Sequence, residues 1–417
     1  MATKEKIETR QEFDLFRPLR SSGALENPAA IYGLLRTVQP VLEMPVDGWD
    51  GPGIWFLTGH AEVNAALRDN RLSVDRLRAP LIQENLDRLP AFIQQSTEGV
   101  VSMLTMDAPD HTRVRKLVNK AFTPRRIEKL RGHVRIIVDE LLAPMSSPGE
   151  MDVIEDLAAP LPAIVIAELL GVPAEDHRMF KTWASEAVAS FGNNNLGDLE
   201  SRDTSGIESL LAYLAGIIAQ RRKEPRDDLI SAMILAQEES DALTDRELLA
   251  TSNLILIAGH ETTTNLIGNG LLALLREPTE MARLRENPDL LPTAVEELLR
   301  FDGPVQATVR VATEDLEIGG QEIAEGSLIL VSIGAANHDP MVFTEPERLD
   351  LGRDPNPHLG FGFGAHFCLG AGLARLEGSI ALQALVERFP HMSLATEHPK
   401  YRPNPILRGL EALPVKF

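Results

Sequence analysis

The chain has 417 residues, 44% of them apolar and 24% charged, the balance of an ordinary water-soluble globular protein with ample core. Its formal net charge of −20 argues against nucleic acid as a partner, and its one cysteine excludes an intrachain disulfide and fits a reducing cytoplasm. No run of about eighteen apolar residues offers a membrane span, residues 1–8 lack a signal-peptide core, and no linker or repeat divides the chain, so 1–417 reads as one cytoplasmic domain without a membrane anchor.

In chain order, residues 29–38 carry a short helical pattern, 54–58 a strand and 61–70 a helix. Residues 72–105 show no sustained period and contain Pro80, Pro90 and Gly99. A long irregular segment of this kind is a functional loop or a plain surface one. A helix is predicted to begin after Pro109. From His111 to Arg135 nine Lys or Arg stand against the single acid Glu128, a local net of +8. Such a run is a solvated helix face, or a surface for an anion or an acidic protein. Helical patterns follow at 154–170, 174–190 and 206–222, and the Gly/Asn-rich break at 191–197 has the makings of a lid.

The longest helix is predicted from Thr244, whose Thr-x-x-Glu spacing with Glu247 is a capping box, to about Glu277, before Pro278. Roughly thirty residues at 1.5 Å each give about 50 Å, enough to cross a domain. Residues 254–258 are apolar on every face, so this helix is buried. Directly after them come Gly259, Glu261 and the alcohols Thr262, Thr263 and Thr264. Glycine costs about 1 kcal/mol of helix propensity, and buried Glu and Thr cost more unless paired or wet. Rule-breaking of this sort inside a core helix marks either a satisfied polar patch or a site. A helix at 292–300 carries Glu297 and Arg300 on one face, a spacing that alone describes a common surface pair. Beyond Gly303 the period falls towards two, with short strands at 309–311, 316–318, 328–332 and 406–410 and a turn at Gly319 and Gly320. The fold class is mainly α with a minor β portion.

The only cysteine, Cys368, lies in Phe361-Gly-Phe-Gly-Ala-His-Phe-Cys-Leu-Gly-Ala-Gly372, where a glycine-permitted loop runs into a helical pattern. Glycines allow positive φ and close backbone approach, and free N–H groups at a helix start favour a thiolate. The sulfur has three readings: a small buried hydrophobe, a nucleophile with His366 as base, or an axial iron ligand.

The order Phe361, Gly364, His366, Cys368, Gly370 resembles the cysteine-ligand loop of the cytochrome P450 family, and the other pieces fall in that family's order over essentially the whole chain. The resemblance implies haem b beneath the long central helix, with Cys368 as axial ligand to the iron. It implies that His111, Arg115, Arg310 and His366 meet the haem propionates, since two carboxylates entering an interior need charged donors. Residues 258–263, Ala-Gly-His-Glu-Thr-Thr, resemble the oxygen-activating stretch, with Gly259 leaving room for dioxygen, Thr262 hydrogen-bonding it and Glu261 relaying protons. Glu297 and Arg300 resemble the family's buried pair, completed by Arg348 or, as second choice, Arg353. Leu254, Ala258, Gln306 and Ala307, with parts of 72–105, would line a pocket for a medium-sized apolar substrate such as a polyketide, terpenoid or steroid.

The activity implied is that of a monooxygenase inserting one oxygen atom of dioxygen into a C–H or C=C bond. One cysteine cannot hold an iron–sulfur cluster and no flavin motif is present, so a ferredoxin-type carrier with its reductase would supply electrons. The basic run would dock it, joined by Arg375. Two rivals stay open. One is a haem-thiolate peroxygenase or isomerase, against which the acid–alcohol pair argues, and the other is a non-catalytic haem or ligand-binding protein.

Overall fold

In a computed structural model the described residues are 25–44, 49–86, 102–119, 122–176, 205–240 and 243–417, with isolated positions between 177 and 186. The 191–197 break, most of the predicted 174–190 helix and residues 87–101 of the irregular segment lie outside them. Helices dominate: α1 (Pro28–Val38), α2 (His60–Ala66), α3 (Pro80–Glu84), α4 (Asp110–Asn119), α5 (Pro124–Leu142), α6 (Pro160–Leu170), α7 (Ser205–Lys223), α8 (Leu229–Ser240), α9 (Asp245–Arg276), α10 (Pro278–Glu286), α11 (Leu291–Phe301), α12 (Ile333–Asn337) and α13 (Ala371–Arg388).

The main sheet has the order β1-β2-β8-β5-β3, from β1 (Val41–Met44), β2 (Ile54–Leu57), β3 (Leu72–Ser73), β5 (Thr308–Ala312) and β8 (Leu328–Val331). Its β2–β8 pair is parallel and the others antiparallel. A second sheet joins β4 (Glu150–Asp152), β10 (Pro414–Lys416) and β9 (Ser393–Leu394). The hairpin of β6 (Leu316–Ile318) and β7 (Gln321–Ile323) turns on Gly319 and Gly320, both at positive φ, as a two-residue hairpin turn requires.

Three expectations are corrected. The 154–170 pattern is two elements, a π-helical turn Ile154–Ala158 and then α6, because Pro160 has no N–H to continue a ladder and starts a new helix instead. Residues 72–105 are not wholly irregular, since β3 and α3 fall within them. Residues 406–410 make only the isolated bridges Val305–Leu407 and Tyr401–Leu410. There the Asn404 side chain takes the N–H groups of Ile406 and Leu407, both at 3.0 Å, that a strand would have spent on a ladder.

α9 organises the rest. Its 32 residues span about 48 Å at 1.5 Å each. The predicted capping box is present: Glu247 N donates to Thr244 Oγ1 at 3.2 Å and Thr244 N to Glu247 Oε2 at 2.7 Å. The helix packs on α6, α11 and α13. It approaches α6 closely at Gly259, where an added Cβ would come 2.9 Å from Ile166 Cδ1.

Candidate functional site

The Cys368 loop is closed by its own backbone. Cys368 N donates to Phe361 O at 2.9 Å, and Gly362 and Gly364 take φ of +69° and +71° between them. A Cβ on Gly364 would meet Leu67 O at 2.6 Å, so a side chain is excluded there twice over. α13 begins just beyond, at Ala371. At Gly370 nothing of the protein lies within 4 Å of where a Cβ would be, so no protein contact demands that glycine. Burial pushes the Cys368 thiol up; the Gly370 N–H and the guanidinium groups of Arg115 and Arg375 pull the other way and do not prevail. A helix start alone therefore does not make this sulfur a thiolate, whereas bonding to a metal deprotonates a thiol. His366 is no base for it. Burial first, then His111 and Arg310, hold its imidazole down at about 3, and its ring lies on that of His111 at 4.0 Å.

A buried carboxylate holds the loop in place from behind. Glu297 and Arg300 on α11 have fully buried side chains joined at 2.8 and 2.9 Å. Arg353 Nε adds two contacts at 3.1 Å, and Asn356 Nδ2 and Asp350 N complete the shell of Glu297. Arg353, not Arg348, is therefore the third member. The reason is geometric: Arg348 turns its carbonyl inward to accept from Arg300 at 3.3 Å and Arg353 at 3.1 Å, which sends its own side chain to an exposed pair with Glu345. Arg300 also donates to Asn337 O at 2.9 Å, and Asn337 Oδ1 takes Leu359 N at 2.8 Å, where the cysteine segment begins. Next to it Glu296 is bidentate to Arg375 at 2.6 and 2.8 Å and meets His358 at 3.0 Å. Burial opposes its charge, but these partners hold Glu296 down to about 2. Arg375 also lies over the Phe361 ring at 4.5 Å. Sequence reasoning missed Glu296, whose only signal was adjacency to Glu297, and counted Arg375 as free.

On the other side of the loop, cationic groups outnumber acids. Arg310 is buried; its Nη1 donates to Thr308 Oγ1 at 3.0 Å and Val309 O at 2.9 Å, and no carboxylate pairs with it. Burial and the neighbouring Arg76 pull it down to about 10. Arg76 makes no hydrogen bond or ion pair among the described residues, and burial lowers it too; nothing in its sequence context singled it out. His111 Nε2 is buried without a partner. Arg115 Nη2 donates to Phe367 O at 2.6 Å, tying α4 to the cysteine loop. The nearby carboxylate, Asp107, is committed to Ser73 Oγ and Val74 N. Buried cations facing one another fit an anion that the chain itself does not provide.

α9 opens on one stripe. Leu254 and Thr262 are half-buried and Ala258 exposed, at four-residue spacing on one face, while Ile255, Leu256, Glu261, Thr263 and Thr264 are buried. Thr262 Oγ1 donates to Ala258 O at 2.6 Å, which leaves its lone pairs to accept. Glu261 is buried and points elsewhere, to Arg402 at 3.6 Å; burial, opposed by Arg402, pushes it up to about 7. Three expectations change. The bare side of Gly259 meets Ile166, so that glycine serves helix approach rather than room for dioxygen. Gln306 and Ala307 are buried in protein packing, Gln306 with both ends of its amide committed to Tyr32 at 2.9 Å and Gly303 O at 2.7 Å. Of the four residues expected to line a pocket, Leu254 and Ala258 are the two on the open side of α9.

A planar dianionic cofactor held through one sulfur suits all of these features together, and they place the protein among the haem-thiolate enzymes. Residues 87–415 match the family profile Cytochrome P450, and the chain belongs to that family; its cofactor is haem b and its reaction class monooxygenation. It is 42% identical over 398 residues to the polyketide biosynthesis cytochrome P450 PksS of Bacillus subtilis (strain 168), covering 94% of this chain and 96% of that one. It is 41% identical over 410 residues to the vitamin D(3) 25-hydroxylase of Pseudonocardia autotrophica, covering 97% and 96%. A solved structure of P450BioI in complex with a hexadec-9Z-enoic acid-ligated acyl carrier protein superposes with a TM-score of 0.83 at 40% identity, over 95% of this chain and all of that one. Among the described residues no helix is long and apolar enough to cross a membrane.

Proposed function

We propose that residues 1–417 form one cytoplasmic haem-thiolate monooxygenase domain acting on a medium-sized apolar molecule of polyketide, terpenoid or steroid type. The observation that carries this reading is the stripe of Leu254, Ala258 and Thr262, with Ala258 exposed, in the mostly buried middle of α9: two apolar residues to hold a substrate and one hydroxyl beside them. Relatives named for polyketide biosynthesis and for vitamin D(3) support the class. Haem bound at this site supplies dioxygen activation and the oxidation of an unactivated carbon. Cys368 would hold it from the loop side, with Phe361, Gly364 and Gly370 shaping that loop. His111, Arg115, Arg310, His366 and Arg76 would take its carboxylates. Glu261 and Thr262 would move protons, because a carboxyl pushed to about 7 both gains and gives a proton near neutrality. A spectral-shift screen of apolar compounds with mass spectrometry of turnovers tests the reading. Shifts without product under electron supply would make this a ligand-binding protein instead.

Thr262→Ala is expected to leave substrate affinity nearly unchanged while most reducing equivalents go to hydrogen peroxide. The check is product formed per NAD(P)H consumed with a surrogate redox chain. Unchanged coupling would remove Thr262 from the mechanism.

We also infer that a ferredoxin-type carrier, reduced by its own reductase, docks on α5. The side chains of Arg125, Arg126 and Lys129 are exposed there, with Arg126 in a loose pair with the exposed Asp227 at 4.0 Å. Arg113, by contrast, is bound to Glu247 at 2.6 Å and Asp110 at 2.9 Å, Arg131 to Glu128 at 2.5 Å and Arg375 to Glu296, so these do not add free charge. Reversing the charges of Arg125, Arg126 and Lys129 should raise the KM for the carrier severalfold, steeply reduced by salt in the wild type, with substrate affinity unaltered. Equal reduction rates across variants and ionic strengths would place the carrier elsewhere.

A further inference from the structure

α9 carries a second polar line, turned to a different neighbour from the open stripe. Glu261, Asn265 and Asn269 are four residues apart and share one face, and all three are buried. That face meets the C-terminal loop around 401–409. Asn269 Nδ2 donates to Arg408 O at 3.0 Å. Asn265 lies against Gly409, where an added Cβ would come 1.9 Å from Asn265 Oδ1. Arg402 stands 3.6 Å from Glu261 Oε1. Yet Glu261 Oε2, Asn265 Nδ2 and Oδ1, and Asn269 Oδ1 are buried with no hydrogen-bond partner in the protein. One such atom costs about 1–3 kcal/mol, and native proteins relieve it with internal water making about three hydrogen bonds. Four of them along about 12 Å of helix form a polar column beneath the loop whose unmet hydrogen bonds suit internal water.

At its Glu261 end this polar line comes near the surface through Arg402. Arg402 has a side chain 34% exposed, and with Tyr32, Tyr401, Asn404 and Arg408 it lines a cleft on the outer side of the same loop. Arg408 is fixed there, paired with Asp302 and stacked on the Tyr401 ring at 3.6 Å. Arg402 is held more loosely. Its ion-pair partner among the described residues is Glu261, at a separation too long for a hydrogen bond.

We propose that solvent protons reach Glu261 through the 401–409 loop, with Arg402 as the positioning residue where that loop meets Glu261 and with Asn265 and Asn269 holding the water that continues from there along α9. The proposal rests on the reading of Glu261 as proton relay. In each turnover Glu261 releases one proton towards the Thr262 side and regains one from bulk water through the loop, so its carboxyl is restored. Arg402 is also the charged side chain within ion-pair distance of Glu261 among the described residues, so its removal should raise the pH at which Glu261 titrates.

The test uses the holoenzyme with Arg402→Gln, Arg402→Lys, Asn265→Leu and Glu261→Gln. The protonated Glu261 carboxyl is followed by its infrared C=O stretch, identified as the band that Glu261→Gln removes. Product formation is compared in H2O and D2O. Arg402→Gln should raise the titration midpoint by about one pH unit, a roughly tenfold change in the carboxylate-to-acid ratio at fixed pH. It should also roughly double the solvent isotope effect on product formation. Arg402→Lys should restore most of both. Asn265→Leu should slow turnover with the same rise in isotope effect, while the carbon monoxide spectrum and the substrate-binding shift stay as in the wild type. Because Arg402 is partly exposed, its variants keep the test decisive should Asn265→Leu fold poorly. If Glu261→Gln slows turnover while both Arg402→Gln and Asn265→Leu leave midpoint and isotope effect unmoved, the column is structural and the proposal falls alone. If Glu261→Gln itself changes neither turnover nor coupling, the relay reading falls and takes this one with it.

Discussion

Replacing Cys368 by histidine should abolish the strongly red-shifted Soret band that reduced, carbon monoxide-bound haem-thiolate proteins show, and reduce monooxygenase turnover to background. Cys368 as thiolate would hold the haem and give it that spectrum and the capacity for dioxygen activation; an imidazole in its place would supply neither. The effect should be confined to chemistry. Cys368 is half-buried, and the hydrogen bond that closes its loop runs from its backbone N–H to Phe361 O, which any residue keeps. Far-ultraviolet circular dichroism of the variant should therefore match the wild type. A wild-type protein with an unshifted, histidine-like spectrum would overturn the assignment of the site as a whole.

Arg300→Ala should be as damaging by another route. Its guanidinium and the Glu297 carboxylate are fully buried, and removing one partner of a buried pair costs about 3–5 kcal/mol, towards the low end here because Arg353 still meets Glu297. Because Arg300 also bonds Asn337 O, and Asn337 in turn the N–H of Leu359, the loss should reach the cysteine segment and lower haem retention with stability. Denaturant melts and the fraction of protein giving the thiolate spectrum measure both. Arg353→Ala should rank next, since its Nε meets both oxygens of Glu297 at 3.1 Å. Arg348→Ala should fall within about 0.5 kcal/mol of wild type, as exposed substitutions generally do, because that residue contributes its carbonyl. An Arg348→Ala loss equal to that of Arg353→Ala would reverse the assignment of the third member.

The elements that could be read from sequence were those whose cause is local. The α9 capping box needs only Thr244 and Glu247, and the α4 start follows Pro109. The glycine-rich entry to α13 needs only the order of residues around Cys368. What stayed hidden was decided by contacts distant in the chain. As letters Arg348 ranks ahead of Arg353; which one faces Glu297 depends on the path of the 345–353 turn. Gly259 reads as empty space on a helix until α6 is seen to fill it with Ile166. Gln306 looks like a pocket amide until Tyr32, 274 positions away, claims its oxygen. The charge of the 111–135 run was counted correctly, but Glu247 and Asp110 neutralise part of it. Arg76 and Arg402 gave no signal at all, because a free or loosely held cation is defined by what does not surround it.

Gly372 follows Cys368 by four positions, and a Cβ there would come 3.0 Å from Ile127 on α5. The basic helix thus rests almost directly on the start of α13, without α9 intervening. On the docking reading, the stretch that chooses an electron supplier, α5, shares no residue with the stripe at 254–262 that faces the molecule to be oxidised. Selection can retune one while the other stays still. A lineage built on this plan can acquire new oxidation targets yet keep a single inherited power source, and a laboratory chimera that exchanges only α9 should still run on the parent's carrier.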